Sequence, residues 1–300
     1  MRKHLVSTVM ALMKKDSNVF FLTGDLGFGS FEVIQQTYPD RFFNMGIAEQ
    51  NMIGVACGLC LSGKKVIIYS ISNFATLRVM EQIRNYLTYH DCHVLIVAGS
   101  GGFSYGQLGY THHAIEDISM MKSIPQMHVY APSNGASVEQ AMSKWYAISQ
   151  TAYLRLEKNE AVLPEPTIQY DFGNLYGEAE AKNFIITYGT IAEEAIQVQQ
   201  SLKEKDMPLA IIVLNELKIK ADKLYELVNH AERVLFLEEN VINGGVGEHF
   251  FSTCMIKNIQ IGQAKIAGVK DVISNTNGSQ SYLRCVHELK SVDIIKFFWI

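Results

Sequence analysis

Short β-rich runs alternate with helix-like segments along most of this chain, and that alternation limits the fold more than any other feature. Val19-Phe20-Phe21-Leu22, Val66-Ile67-Ile68-Tyr69, Val94-Leu95-Ile96-Val97-Ala98 and Met127-His128-Val129-Tyr130 read as strands, and residues 47–61, 74–89 and 134–149 between them read as helices. Apolar runs this short suit strands buried on both faces. Alternated with helices, they predict a parallel sheet with helices packed on each side. Loops leaving the C-terminal ends of such strands are the expected place for chemistry.

Pro164-Glu165-Pro166 interrupts the pattern. Beyond it the alternation resumes, with strands at Phe184-Ile185-Ile186-Thr187-Tyr188-Gly189, Leu209-Ala210-Ile211-Ile212-Val213-Leu214 and Val234-Leu235-Phe236-Leu237-Glu238, and a helix from Glu193 to Glu204. The reading is an α/β protein of two domains, residues 1–163 and 177–300, joined by a linker over 164–176. The first sheet is expected to be parallel and the second mixed.

A hydrophobic share of 48% and a charged share of 19% are those of a compact chain with enough apolar residues for two cores. The net charge of −4 and the lack of a Lys/Arg cluster argue against nucleic acid. Five cysteines, an odd count in a long chain, favour reduced thiols and a cytoplasmic location. At the N-terminus, Leu5, Val9, Leu12 and Met13 share one helical face, and Lys14-Lys15-Asp16 interrupts what would otherwise resemble a leader. An amphipathic first helix is expected there, and no apolar run is long enough for a membrane span.

Gly46-Ile47-Ala48-Glu49-Gln50-Asn51-Met52 puts one carboxylate into an apolar stretch that continues Ile53-Gly54-Val55-Ala56-Cys57-Gly58-Leu59. A lone acid in such surroundings is desolvated, and desolvation favours its protonated form. A carboxylic acid that holds a proton near neutral pH is a useful catalytic group. The plainer reading of Glu49 is a solvated residue at a helix start.

This stretch resembles the cofactor-activating segment of transketolases and their relatives. Further matches follow in the family's order: Ser72-Asn73-Phe74-Ala75-Thr76, then Arg78 and Glu81-Gln82-Ile83-Arg84-Asn85, then Gly109-Tyr110-Thr111-His112-His113, Ile115-Glu116-Asp117, Ile124-Pro125-Gln126-Met127 and Ala131-Pro132-Ser133-Asn134. The resemblance implies thiamine diphosphate as cofactor, with Glu49 hydrogen-bonding its aminopyrimidine ring to favour the reactive tautomer. It implies that Phe74 stacks on that ring, a contact worth ~0.5–1.5 kcal/mol beyond burial. Ile71 stands where the family often has a second aromatic, and Arg78 belongs to the same cofactor-facing stretch. His112 is placed to meet sugar oxygens and shuttle protons. The alternatives are an ordinary core Phe and a loop His without a role. His113 replaces the usual glutamine, and Glu116-Asp117 is expected to brace the loop or the subunit contact.

Two motifs take plain readings. Cys57-Gly58-Leu59-Cys60 lies within an apolar helix without a second cysteine pair, so buried small residues are expected and no metal site. Gly244-Gly245-Val246-Gly247 lacks the full phosphate-cradling spacing and is read as structural.

The resemblance also exposes an absence. The family holds Mg²⁺ and the cofactor's diphosphate on a domain that carries Gly-Asp-Gly. This chain has none, its nearest approach being Gly24-Asp25-Leu26. Too few residues precede position 20 to form such a domain. The implied arrangement is the C-terminal subunit of a split transketolase. An N-terminal subunit would bring the diphosphate and Mg²⁺ site, most simply in an α2β2 assembly. At the substrate end, Leu108 replaces an acid that reads an acceptor hydroxyl, Ser100 replaces a histidine, and Lys158 replaces a phosphate-binding arginine. The substrate is then a sugar or sugar phosphate outside the standard pentose pair, since losing a hydroxyl-reading acid redirects selectivity. The rival readings are a decarboxylating relative, of the deoxyxylulose-phosphate-synthase or 2-oxo-acid-dehydrogenase type, and a non-catalytic scaffold.

Overall fold

In the computed structural model, which describes residues 1–273 and 275–298, the chain builds two six-stranded sheets. The first contains β1 (Val19–Thr23), β2 (Phe42–Asn44), β3 (Lys65–Ile71), β4 (Val94–Gly99), β5 (His128–Tyr130) and β6 (Ala152–Leu156). Its order is β2-β1-β3-β4-β6-β5, and every pairing is parallel. The second contains β7 (Ile168–Tyr170), β8 (Gly173–Tyr176), β9 (Asn183–Thr187), β10 (Leu209–Leu214), β11 (Ala231–Val241) and β12 (Ile261–Val269). Its order is β12-β11-β9-β10-β8-β7. β8 runs antiparallel to both neighbours and the other pairings are parallel, so this sheet is mixed as expected.

β3 and β4 are buried almost throughout, which their unbroken apolar runs require. One face of the first sheet is covered by the helices Arg2–Lys15 and Gly135–Ile148, with Leu5, Val9 and Met13 of the first and Trp145 of the second buried against Phe21, Ile67 and Leu95. Asn134 starts the second of these helices: it accepts from the Ser137 amide at 3.0 Å, and the Ser137 hydroxyl takes the Asn134 amide at 3.1 Å. Such reciprocal caps are worth about 1 kcal/mol. The opposite face packs on the helix Glu49–Leu61 through Met52, Ile53 and Ala56, and this core continues without a break into Phe184, Ile212 and Phe250 of the second half.

Some expectations need correction. The segment read as a linker, 164–176, carries β7 and β8, which pair as a hairpin and add to the second sheet through β10. Its flanking prolines mark the approach to that hairpin, not a free connector. The helix expected over 74–89 is broken into Ser72–Ala75, Leu77–Val79, Met80–Gln82 and a π-helical turn, Ile83–Thr88. The expected second domain, 177–300, includes residues 274, 299 and 300, which lie outside the described residues. Among the described residues no helix is long and apolar enough to cross a membrane.

Candidate active site

The parallel order of the first sheet brings the ends of β2, β3, β4 and β6 to one edge. Glu49 is the first residue of the helix that follows β2, and Phe74 sits on the short helix after β3. Ser100 to His113 leave β4, and Lys158 follows β6. Residues separated by more than a hundred positions thus meet where an α/β sheet collects its functional groups.

Glu49 is only 3% exposed, but it is not the lone acid expected from sequence. The Ser70 hydroxyl donates to its Oε1 at 3.2 Å, and Arg78 Nη1 pairs with its Oε2 at 2.8 Å. Arg78 is 43% exposed and long, so it closes the carboxylate from the solvent side without being locked there. Its guanidinium also lies 4.2 Å from the Phe74 ring centroid. Phe74 in turn meets His112 edge-on at 5.6 Å, and His112 lies 6.4 Å from Tyr105. Ile71 is half-buried at the end of β3. An unbroken line of side chains thus runs from Glu49 through Arg78, Phe74 and His112 to Tyr105.

Tyr105 leads into a cavity of about 300 Å³, also lined by Arg2, Tyr69, Ser100, Glu157 and Lys158. Two of the expected substrate residues, Ser100 and Lys158, therefore share one cavity. Leu108 is 56% exposed and does not line it. Arg2 was missed by sequence reasoning. It belongs to a helix whose only local signal is amphipathicity, and it reaches the site because that helix packs along the first sheet. The Tyr69 and Tyr105 phenols beside Arg2 hold its guanidinium further toward the charged form. The cavity therefore offers one permanent cation, a lysine, three hydroxyls (Tyr69, Ser100 and Tyr105) and one carboxylate, Glu157.

The loop between β4 and β5 is held by buried polar contacts. Asn73 Nδ2 donates to the carbonyls of Thr111 and His113 at 2.9 and 3.1 Å, fixing the Phe74 turn against the His112 turn. His113 is buried, with Nε2 3.1 Å from the Gly106 carbonyl, a contact that ties the two turns of this loop together. Asp117, which burial pushes toward its neutral form, accepts from the Tyr153 hydroxyl at 2.5 Å and lies 3.6 Å from Arg155. These contacts brace the loop from beneath.

The two plainly read motifs stay away from this edge. Cys57 is buried and Cys60 half-buried, and Cys92 Sγ lies 3.9 Å from Cys57 Sγ. All five cysteines are free thiols, and among the described residues no group of His, Cys, Asp and Glu is arranged for a metal. In the Gly244–Gly247 turn, Val246 and Gly247 give their amides to Glu238 at 3.0 and 3.2 Å, so the turn is structural.

Residues 1–162 match the family described as transketolase, pyrimidine binding domain, and residues 178–281 match transketolase, C-terminal domain. The chain belongs to the transketolase family. It is 32% identical over 253 residues to a putative transketolase C-terminal section of Methanocaldococcus jannaschii, a match covering 82% of this chain and 79% of that one. It is 26% identical over 280 residues to one of the subunits of the apulose-4-phosphate transketolase of Phocaeicola vulgatus, covering 90% of this chain and 87% of that one. A solved structure described as a split gene transketolase, inactive beta4 tetramer, superposes with a TM-score of 0.86 at 27% identity, covering 98% of this chain and 95% of that one. Both sheets are therefore those of transketolases, and the family's dependence is on thiamine diphosphate. The residues at the edge fit such a group in kind. A buried carboxylate lies beside an aromatic face, and one flexible, half-exposed arginine spans both.

Proposed function

We propose that this chain is one subunit of a thiamine-diphosphate-dependent transketolase, moving a two-carbon ketol unit from a ketose donor to an aldehyde acceptor. The observation that carries the reading is the buried Glu49 carboxylate, 3% exposed, at the strand-end edge with Phe74 and His112 along one line. The bound cofactor would supply the carbon nucleophile and electron sink that breaking a carbon–carbon bond next to a carbonyl requires. Glu49 would hold a proton against the cofactor's aminopyrimidine nitrogen, with Ser70 fixing the carboxyl plane. Arg78 would turn outward and free both Glu49 and the face of Phe74. His112, whose Nδ1 lies 3.0 Å from the Thr111 hydroxyl, would exchange protons with sugar oxygens through its other nitrogen.

A second chain would complete the site with the diphosphate- and Mg²⁺-binding domain. Large apolar side chains surround the edge on the loops after β1, β2, β3 and β4: Phe28 is 75% exposed, Ile47 84%, Leu77 48% and Leu108 56%. Exposed apolar groups gathered at one face mark a surface that another protein covers. One relative is named as a C-terminal section, a second as one of the subunits of its enzyme, and a third is described as a split gene transketolase in an inactive beta4 tetramer. These names support the same division, with α2β2 the simplest assembly.

The sugar would carry an anionic end. Arg2 and Lys158 face the cavity of about 300 Å³, and a relative is named for a phosphorylated sugar, apulose 4-phosphate. With Leu108 standing where the family has an acid that reads an acceptor hydroxyl, and not lining that cavity, transfer between the standard pentose phosphates should be weak. The test is to co-express this chain with a chain carrying the Gly-Asp-Gly domain and to measure two-carbon transfer from xylulose 5-phosphate. Turnover is expected only in the reconstituted pair, with ribose 5-phosphate a poor acceptor. Turnover by this chain alone would refute the division of the site.

A further inference from the structure

A separate cavity of about 460 Å³ opens where the two halves of the chain meet. Ser119 and Lys122 line it from the helix Asp117–Ser123, Lys218 and Lys220 from the segment after β10, and His249 from the helix Val246–Ile256. Three ammonium groups and an imidazole face it, and among the described residues no carboxylate side chain lines it, in a chain whose net charge is −4.

The nearby carboxylates are already committed. Glu238 accepts from the Val246 and Gly247 amides and from the Tyr188 hydroxyl, the last at 2.9 Å. Glu248 accepts from the Gly244 amide at 2.7 Å. Glu216 pairs with His128 Nδ1 at 2.8 Å. Lys122 is half-buried and has no hydrogen-bond or salt-bridge partner among the described residues; burial lowers it, and the more distant Glu238 and Glu248 charges only partly offset that. Lys218 donates one proton to the Ile124 carbonyl and keeps its others for the cavity. Burial first, then the Lys220 and Lys122 charges, pull Lys218 below its ordinary value. Burial and Lys122 do the same to His249. Glu238 and Glu248 act on Lys122, and Glu216 on Lys218, only at a distance, and among the described residues none of the three lysines is in a salt bridge; like charges gathered this way form a standing site for an anion, which relieves their repulsion.

We propose that this cavity binds a small phosphorylated anion across the two halves of the molecule. Its volume exceeds the needs of one phosphate and lies in the range of organic ligand sites. Lysines supply rotatable point donors, which suit a phosphoryl group with several acceptor oxygens and no fixed approach plane. The amides at the start of the helix Val246–Ile256 are taken by Glu238, so recognition falls to the ammonium groups.

The test titrates the full chain with inorganic pyrophosphate by calorimetry at constant ionic strength. It uses a Lys158→Met background, so that the cavity holding Arg2 does not compete. Saturable binding of one pyrophosphate per chain is expected, with a thermal midpoint that rises as sites fill. The Lys122→Met, Lys220→Met double variant should weaken that binding at least ten-fold while its circular dichroism stays unchanged and its unliganded melting does not fall. Neither residue makes a hydrogen bond that the fold would miss. No saturable binding, or equal affinity in the double variant, would overturn the proposal. The measurement involves no partner chain and no turnover, so it stands apart from the catalytic reading.

Discussion

Two carboxylate sites in this chain look alike on a diagram and differ in how they are closed. Glu49 starts a helix at the edge of the first sheet. Glu239 lies on β11, where the two halves meet. Both are buried, and both pair with an arginine. Glu239 takes the Phe103 amide at 2.6 Å, Gln280 Nε2 at 3.0 Å and the Arg284 guanidinium. Arg284 is itself buried and also reaches Thr190 at 2.8 Å and Glu157 at 3.5 Å. Every partner there is fixed by another partner. Glu49 has one hydroxyl and one arginine that is 43% exposed. The Glu239 arrangement joins two sheets; the Glu49 arrangement can open. Burial of an acid does not by itself distinguish a brace from an active site, whereas the freedom of its counter-ion does.

The comparison can be broken at several points. The largest effect on stability is expected at the brace. Arg284→Ala removes the cation that pairs with both Glu239 and Glu157 and leaves only the charge of the buried Arg155 to oppose theirs, which costs about 3–5 kcal/mol. Denaturant unfolding of the chain would measure it. A loss under ~1 kcal/mol would mean the network is not closed as described. At the open edge, Arg78→Met should cost under about 1 kcal/mol, because a half-exposed pair is screened by water. The same unfolding experiment compares the two directly.

At the cavity of the first sheet, Arg2→Met and Lys158→Met should each raise KM for a phosphorylated substrate about ten-fold, or ~1.4 kcal/mol, with kcat little changed. Steady-state kinetics of the reconstituted pair would show it, and a fall confined to kcat would contradict the assignment.

The smallest effect concerns pH. Burial pushes Glu238 up to about 7, against an ordinary carboxyl value of 4.5. Between those two values the folded chain holds a proton that the unfolded chain has released. Glu238 therefore favours folding least once pH has risen through about 7, and most below about 4.5. The Glu238→Gln variant should lose this decline, so its stability profile between pH 5 and about 7.5 should be flatter than that of the parent, as pH-dependent melting would record.

Much of the fold was legible because the central strands are unbroken apolar runs. β1, β3, β4, β9, β10 and the middle of β11 need burial on both faces, and their composition says so. The segments that went unread are those whose pairing is set by position in the fold. β2 and β7 are three residues long and largely exposed, and β7–β8 is a hairpin hidden in a segment that proline made look like a connector. Glu49, Phe74 and His112 stand in local motifs, Ser100 and Lys158 where the chain departs from the family pattern, and the parallel topology explains why all five lie along one edge. The place of Arg2 was not legible, since nothing in its neighbours indicates that the first helix begins beside Tyr69 and Tyr105. Nor did the motif show that Arg78 closes on Glu49, because the two are 29 residues apart and meet only through the turn after β3.

The most direct measurement is the Glu49→Gln variant of this chain, assayed with its partner for ketol transfer and melted alone. The account expects the rate to fall at least a hundred-fold, about 2.7 kcal/mol of lost transition-state stabilisation, while the chain's stability changes by under about 1 kcal/mol. A variant that turns over normally, or one that loses activity only because it unfolds, would contradict it.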